Sequence, residues 1–244
     1  MAEDAASANG YPPCPFGRCD GGGWILNDDG VTATKCECLE PRLARARASG
    51  VNSSIPKKFR GVSFDRPPVT EIEPAAVEVV RQWVDGLDEN LEEGRGLWLS
   101  GDVGTGKTTL AMLVSKEALK RGYSVAIYAL PKLLARIRAT FDAGDGEESY
   151  TDLIEHLSSV DLLHIDDLGA ERQTEWVLEQ LYVLINERYE RQGSIVVTTN
   201  LTQVDLEEQI GVRTVSRLIE ICGENQVPLF GEDARQKPQL RSDI

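Results

Sequence analysis

From residue 74 onward the apolar residues fall into two alternating patterns: short unbroken runs, and longer stretches where they recur every three or four positions. The short runs, bounded by glycine or polar residues, predict buried strands at 96–100, 124–128, 161–165 and 194–198, with a last one at 226–229. The longer stretches predict helices. One starts at Pro74 with Val77, Val80, Trp83 and Val84 on one face, and the next covers 107–120 with Leu110, Ala111, Leu113, Val114 and Ala118. Others cover 131–141 (Leu134, Ile137 and Arg138 spaced along it), 150–157 and 174–191 (Val177, Leu181, Leu184 and Ile185 inward). A helix carrying Val215 to Leu218 lies before the last strand. Strand and helix in alternation imply a parallel sheet covered by helices, an α/β fold. No internal repeat is visible.

Upstream the pattern weakens. Residues 1–13 are small and polar, which predicts a disordered arm. Cys14, Cys19, Cys36 and Cys38 follow, four of the five cysteines. In a reducing compartment such clustering points to metal before disulfides. The only histidines, His156 and His164, lie far away, so a zinc site here is all-thiolate. Cys14 and Cys19 bracket a Pro-Phe-Gly-Arg turn, and residues 24–26 and 31–34 predict a hairpin across Asn27-Asp-Asp-Gly30. The x4 and x1 spacings differ from the common x2 pairs, which keeps free thiols or an iron–sulfur cluster open as competing readings. A piece of about 30 residues does not fold on a hydrophobic core alone, so metal would be what folds it. Residues 39–48 predict a short basic helix. The expected division is therefore an arm at 1–13, a zinc-binding module with its helix at 14–48, a linker at 49–54 and a large domain at 55–244. The fifth cysteine, Cys222, sits among Leu218, Ile219 and Ile221 and reads as a small buried hydrophobe.

Composition adds constraints. No apolar run approaches the roughly 20 residues of a membrane span, and the start Met-Ala-Glu-Asp-Ala-Ala has no basic or apolar leader, so a cytoplasmic protein is expected. The net charge of −14 excludes a protein that coats nucleic acid with its whole surface. Between 41 and 60, however, Arg42, Arg45, Arg47, Lys57, Lys58 and Arg60 meet no acid. That segment is the expected place for DNA, single-stranded in the first instance; a solvated linker is the competing reading.

The chemistry gathers on Gly101-Asp102-Val103-Gly104-Thr105-Gly106-Lys107-Thr108-Thr109, a complete G-x-x-x-x-G-K-[ST] run between a predicted strand and a predicted helix. Its glycines let successive N–H groups point into one concavity, and the helix start adds its positive end. Lys107, read as an exposed loop lysine that adds little to the core, reaches the β- and γ-phosphates of ATP, and the Thr108 hydroxyl ligates Mg²⁺. The strand 161–165 runs into Asp166-Asp167-Leu168-Gly169. Asp166 at its end shares the Mg²⁺ with Thr108, and Asp167 polarises the attacking water. Many such enzymes carry Glu at that second place, one methylene longer, which predicts slow hydrolysis; Glu171 is a further acid nearby. Asn200, ending Val197-Thr-Thr-Asn, orients the water or contacts the γ-phosphate.

Taken in order, Ile55-Pro…Phe59, Gly101…Thr108, Ile165-Asp-Asp-Leu-Gly169, Thr198-Thr-Asn-Leu201 and Val215-Ser-Arg-Leu218 resemble the AAA+ ATPases of the DnaC/DnaI helicase-loader and IstB group. The resemblance covers about residues 55–235, and the four-cysteine module is similar to a zinc-bearing loader N-domain. It implies a P-loop NTPase sheet of order 5-1-4-3-2 with ATP at the ends of strands 1, 3 and 4; the end at Ile244 comes too soon for a helical lid domain, so none is expected. It also implies an arginine finger offered to a neighbouring subunit, Arg217 with Arg213 as competitor, and a sensor arginine for which Arg235 is the candidate. The implied partner is a hexameric replicative helicase, gripped by the zinc module during delivery to DNA. Two alternatives stand beside it. One is an IstB-like transposition helper acting on duplex DNA. The other is a small-molecule kinase, against which the acids Asp142, Asp145, Glu147 and Glu148 have the wrong sign to close over phosphates.

Overall fold

The structure, a computed structural model, describes residues 14, 16–19, 24–26, 33–38, 55–142 and 148–233. The arm 1–13, the Asn27 turn, the basic helix at 39–48, the linker 49–54 and Arg235 lie outside them. Near the N-terminus, β1 (Trp24–Leu26) and β2 (Ala33–Lys35) pair antiparallel with Ile25 opposite Thr34.

The larger part is built on five strands: β3 (Leu97–Gly101), β4 (Val125–Ala129), β5 (Leu162–Asp166), β6 (Ser194–Thr199) and β7 (Gln226–Leu229). They form one sheet in the order β4-β5-β6-β3-β7, every pair parallel. Every residue of β5 and β6 is buried. A strand covered on both faces has no solvent side, so its sequence runs apolar without alternation.

Helices cover both faces. On one side lie α1 (Pro74–Asp85), α2 (Leu87–Glu92) and α3 (Lys107–Lys120). Val80, Trp83, Leu110, Leu113 and Val114 from them pack with Leu97 and Leu99 of β3. On the other side lie α4 (Leu130–Ala139), α5 (Tyr150–Ser159), α6 (Glu175–Glu190), α7 (Gln203–Ile210) and α8 (Val212–Cys222). Leu133, Leu157, Leu184 and Leu218 from these helices meet Trp98 and Ile165. Side chains alternate across a strand, so neighbouring Leu97 and Trp98 enter different cores.

Several boundaries differ from the sequence expectation for identifiable reasons. Helix α4 stops at Ala139, two residues before Phe141, as the N–H groups of Thr140, Phe141 and Asp142 turn to the i−3 carbonyls of Ile137, Arg138 and Ala139 (3.2, 3.1 and 3.2 Å) and the ladder tightens into turns. Thr174 is the cap of α6, its hydroxyl accepting from Val177 N–H at 3.2 Å. Asp161 is not in β5; its carboxylate accepts from the backbone N–H and hydroxyl of Ser124 (2.7 and 2.6 Å), joining the starts of β4 and β5. The sequence pattern marks neither α2 nor α7, since each is short and has few apolar residues to set a period.

Candidate nucleotide site and metal module

Strand register brings the chemical groups to one edge. Leu99 of β3 pairs with Thr198 of β6, and Val197 with Ile165 of β5. Asp166, Thr198 and the exit of β3 therefore lie at the same C-terminal end of the sheet. The next strand in the chain, β4, lies beyond β6 and β5, so the connections diverge and leave a crevice at that end.

The phosphate loop leaves β3 at Gly101. A Cβ there would come 2.0 Å from the Leu229 carbonyl, and one on Gly106 would come 2.4 Å from Ile72 Cδ1, both at positive φ. Only glycine fits this loop between β7 and the 69–72 turn. Contrary to the exposed lysine expected, Lys107 is 5% exposed, and its ammonium donates to the carbonyls of Gly101 (2.8 Å) and Asp102. The loop is braced further by Thr105 Oγ1 donating to Asp102 O (2.9 Å) and by Gly231 N–H donating to Asp102 Oδ2 (3.0 Å). Thr108 and Thr109, half-buried, follow in the first turn of α3, where backbone N–H groups and the helix dipole favour an anion.

Asp166, the last residue of β5, is buried, and its Oδ1 accepts the Thr198 hydroxyl at 2.8 Å. Asp167 has a left-handed backbone (φ 58°), and its N–H donates to the same Thr198 oxygen at 2.9 Å. The next residue is fixed too: Leu168 N–H reaches Thr198 O and Leu168 O receives the Thr199 hydroxyl, both at 2.7 Å. Asn200, directly after β6, is exposed at this edge. A carboxylate at a buried strand end and a threonine in a helix's first turn at the same edge of the sheet are the donor types that suit Mg²⁺ with a triphosphate.

Arg217 on α8 is engaged within its own chain. Its Nη1 pairs with Glu220 (3.1 Å), and its guanidinium lies 4.0 Å over the Tyr189 ring, whose hydroxyl also donates to Glu220 (2.7 Å). With Tyr182, Val212, Arg213 and Ser216 it lines a shallow cavity of about 370 Å³. Neither Arg217 nor the exposed Arg213 is among the contacts of the phosphate loop.

A second group escaped sequence reasoning. Phe141, exposed, stacks on Tyr150 (5.3 Å) and meets Trp176 edge-on (6.4 Å), while the Arg138 guanidinium lies 4.8 Å from the Trp176 ring. Arg138 and Arg172 also line a groove of about 220 Å³ between α4 and the segment after the acidic motif. Spacing alone puts Arg138 on the helix, and nothing in the sequence marks the three aromatic residues as neighbours.

In the N-terminal piece the four cysteine sulfurs lie within 4.8 Å of one another, with Cys14–Cys36 at 3.7 Å and Cys19–Cys38 at 3.4 Å. A tetrahedral Zn²⁺ with Zn–S near 2.3 Å sets its sulfurs roughly 3.8 Å apart, so the cluster has the dimensions of a four-thiolate site. A turn closed by Gly17 N–H to Cys14 O (3.0 Å) presents the first pair, and Cys36 and Cys38 after β2 present the second, both buried. Desolvation opposes ionisation of Cys14, yet the N–H groups of Arg18, Cys19 and Phe16 bring its thiol down to about 6. Burial and the neighbouring thiols push Cys38 up to about 12. Crowded thiols that ionise one at a time are what a cation relieves. Cys222 is buried elsewhere, its thiol raised by burial alone.

Comparison with known proteins agrees with this geometry. Residues 85–237 match the family described as IstB-like ATP binding protein. The chain is 29% identical to the phage-like element PBSX protein XkdC of Bacillus subtilis over 240 residues, covering 88% of this chain and 82% of that one. It is 28% identical to the replicative helicase loader DnaC of Escherichia coli over 181 residues, 73% of this chain and 71% of the relative. Among solved structures, the DnaC helicase loader superposes with a TM-score of 0.61 at 26% identity, covering 71% of this chain and 99% of that one. A DnaA structure bound to AMPPCP and single-stranded DNA gives 0.59 at 24% identity (73% of this chain, 51% of that one), a likeness of fold. The chain belongs to the IstB-like ATP-binding family and is an AAA+ ATPase of the DnaC/DnaI type with an N-terminal four-cysteine metal-binding cluster.

Proposed function

We propose that this chain is a cytoplasmic helicase loader: an ATP-timed switch that holds a hexameric replicative helicase through its zinc module and releases it onto single-stranded DNA. The observation that carries the reading is the joining of a complete phosphate loop and acidic strand end, in a chain similar to a replicative helicase loader, to a preassembled four-cysteine cluster. A transposition helper with the same engine has no evident use for that cluster.

In this reading the loop N–H groups and Lys107 bind the triphosphate, with Lys107 giving up the carbonyls of Gly101 and Asp102 to do so. Thr108 and Asp166 would hold Mg²⁺, which would supply neutralisation of the phosphate charge. Asp167 and Asn200 orient the attacking water, and Arg217 of an adjacent copy completes the site. Of the basic segment 41–60 only its end is described, with Lys57, Lys58 and Arg60 exposed around the buried Phe59. The Phe141, Tyr150 and Trp176 group with Arg138 and Arg172 adds ring faces beside cations, the chemistry on which unpaired bases stack.

The test is a loading assay with the source organism's replicative helicase on circular single-stranded DNA. Loading should require ATP and the intact module. Removing zinc with a strong chelator should abolish helicase capture while nucleotide affinity stays within about twofold, because the phosphate loop shares no residue with the cysteine cluster. Capture that survives complete zinc loss would overturn the role of the module. Tight ATP-dependent binding to duplex DNA without helicase capture would favour the transposition reading.

A further inference from the structure

Thr198 is wholly buried, two residues before Asn200, and its single hydroxyl serves both acids of the site. Oγ1 accepts the Asp167 N–H (2.9 Å) and donates to Asp166 Oδ1 (2.8 Å). A hydroxyl has one proton, and the backbone N–H takes a lone pair, so that proton points at the carboxylate. One oxygen of Asp166 is thereby engaged and the carboxylate plane is pinned, leaving Oδ2 for a cation. The same oxygen helps hold Asp167 at φ 58°, a region costly for a residue other than glycine. Thr199 clamps the following residue from the same strand, through Leu168 O (2.7 Å).

We propose that Thr198 is the positioning residue of the hydrolysis site: its hydroxyl fixes the orientation of the Asp166 carboxylate toward Mg²⁺ and ties both acids to the strand that leads into Asn200. A valine of the same shape would fill the space and leave Asp166 free to turn. Partners of a metal-binding carboxylate typically set metal affinity by about 10- to 100-fold. The inference rests on the assignment of Asp166 to Mg²⁺, so Asp166→Asn is measured alongside.

The experiment uses the full chain and equilibrium binding of a fluorescent ATP analogue, in EDTA and across a Mg²⁺ titration, for wild type, Thr198→Val, Thr198→Ser and Asp166→Asn. Thr198→Val should keep its affinity in EDTA within about twofold of wild type and raise half-saturating Mg²⁺ about tenfold or more. Thr198→Ser, which restores the hydroxyl, should return to within about threefold, and Asp166→Asn should lose most of the Mg²⁺ effect. Wild-type Mg²⁺ dependence in Thr198→Val beside its loss in Asp166→Asn would overturn the role of Thr198 alone. Unchanged dependence in both would overturn the reading of Asp166 and this inference with it. An equal loss of affinity in EDTA, or no recovery in the serine variant, would reduce Thr198 to packing and overturn the proposal. Should Thr198→Val not fold, Thr198→Ala lacks the same hydroxyl and is read against the serine by the same outcomes.

Discussion

Lys107 shows what a motif states and what it leaves out. Its place after Gly106 was legible, because only a lysine there reaches two phosphates from a helix start. Its burial was not, since nothing in the nine-residue run says that Gly101 O and Asp102 O will fold back onto the ammonium. That changes the expected behaviour of Lys107→Ala. ATP affinity should fall at least tenfold, and the ligand-free protein should also melt a few degrees lower, having lost charge-assisted bonds that hold the loop, of order 1–3 kcal/mol. Nucleotide titration and a melting curve on the same preparation test both. ATP binding within twofold of wild type would remove Lys107 from the site. Thr198 was illegible for a related reason: Thr-Thr-Asn is ordinary strand-end chemistry until register places it beside Asp166.

Among the elements, β5 and α3 are joined by a polar contact inside an apolar layer. His164 of β5 is wholly buried, with Nδ1 2.9 Å from the Ser115 hydroxyl on α3. Burial brings its pKa down from 6.5 to about 3, so the folded protein keeps this imidazole neutral. The unfolded chain takes up a proton below pH 6.5 that the folded one refuses until about pH 3. Stability is therefore unaffected by this group above pH 6.5 and falls as pH drops through that window, by up to about 1.4 kcal/mol per pH unit. Urea unfolding at pH 7.5 and pH 5 should show this loss in wild type and a smaller one in His164→Gln; equal losses would mean that another group is responsible. The strands and long helices of this layer were legible because burial on both faces writes unbroken apolar runs and 3–4 spacing writes helices. Arg188 was not. An arginine in the last turn of a helix reads as a surface partner for the dipole, yet this one is wholly buried and donates to the carbonyls of Ser158, Val160, Asp161 and Ser194. The glycine at 193 makes that possible, since a Cβ there would lie 2.5 Å from the guanidinium carbon. The cysteines were legible as a cluster, whereas their pairing across β1 and β2 needed three-dimensional closure.

On the scale of the whole molecule, one chain keeps the phosphate-loop residues and the arginine finger candidate in different places. Arg217 is bound to Glu220 and stacked on Tyr189, and its cavity with Tyr182, Val212 and Arg213 shares no residue with the loop 101–109. Phosphoryl transfer spreads charge over the γ-phosphate oxygens, and a guanidinium that meets this charge is worth on the order of 10³ in rate or more. If that guanidinium comes from the next copy, hydrolysis per chain must depend on assembly. ATPase rate should then rise with protein concentration, or on adding helicase or DNA, and stay low in the dilute chain. Arg217→Ala should bind ATP with wild-type affinity and hydrolyse it poorly. Mixed with Lys107→Ala, it should recover part of the rate, because some interfaces then pair an intact phosphate loop with an intact finger. The Glu220 and Tyr189 contacts add a further expectation. Glu220→Gln weakens the hold on Arg217 without touching the loop, so it should lower the protein concentration needed for half-maximal turnover. The measurement is ATPase rate per chain against concentration for each protein and the mixture. A flat, high rate for dilute wild type together with a silent mixture would place Arg217 in its own chain's chemistry or outside it altogether.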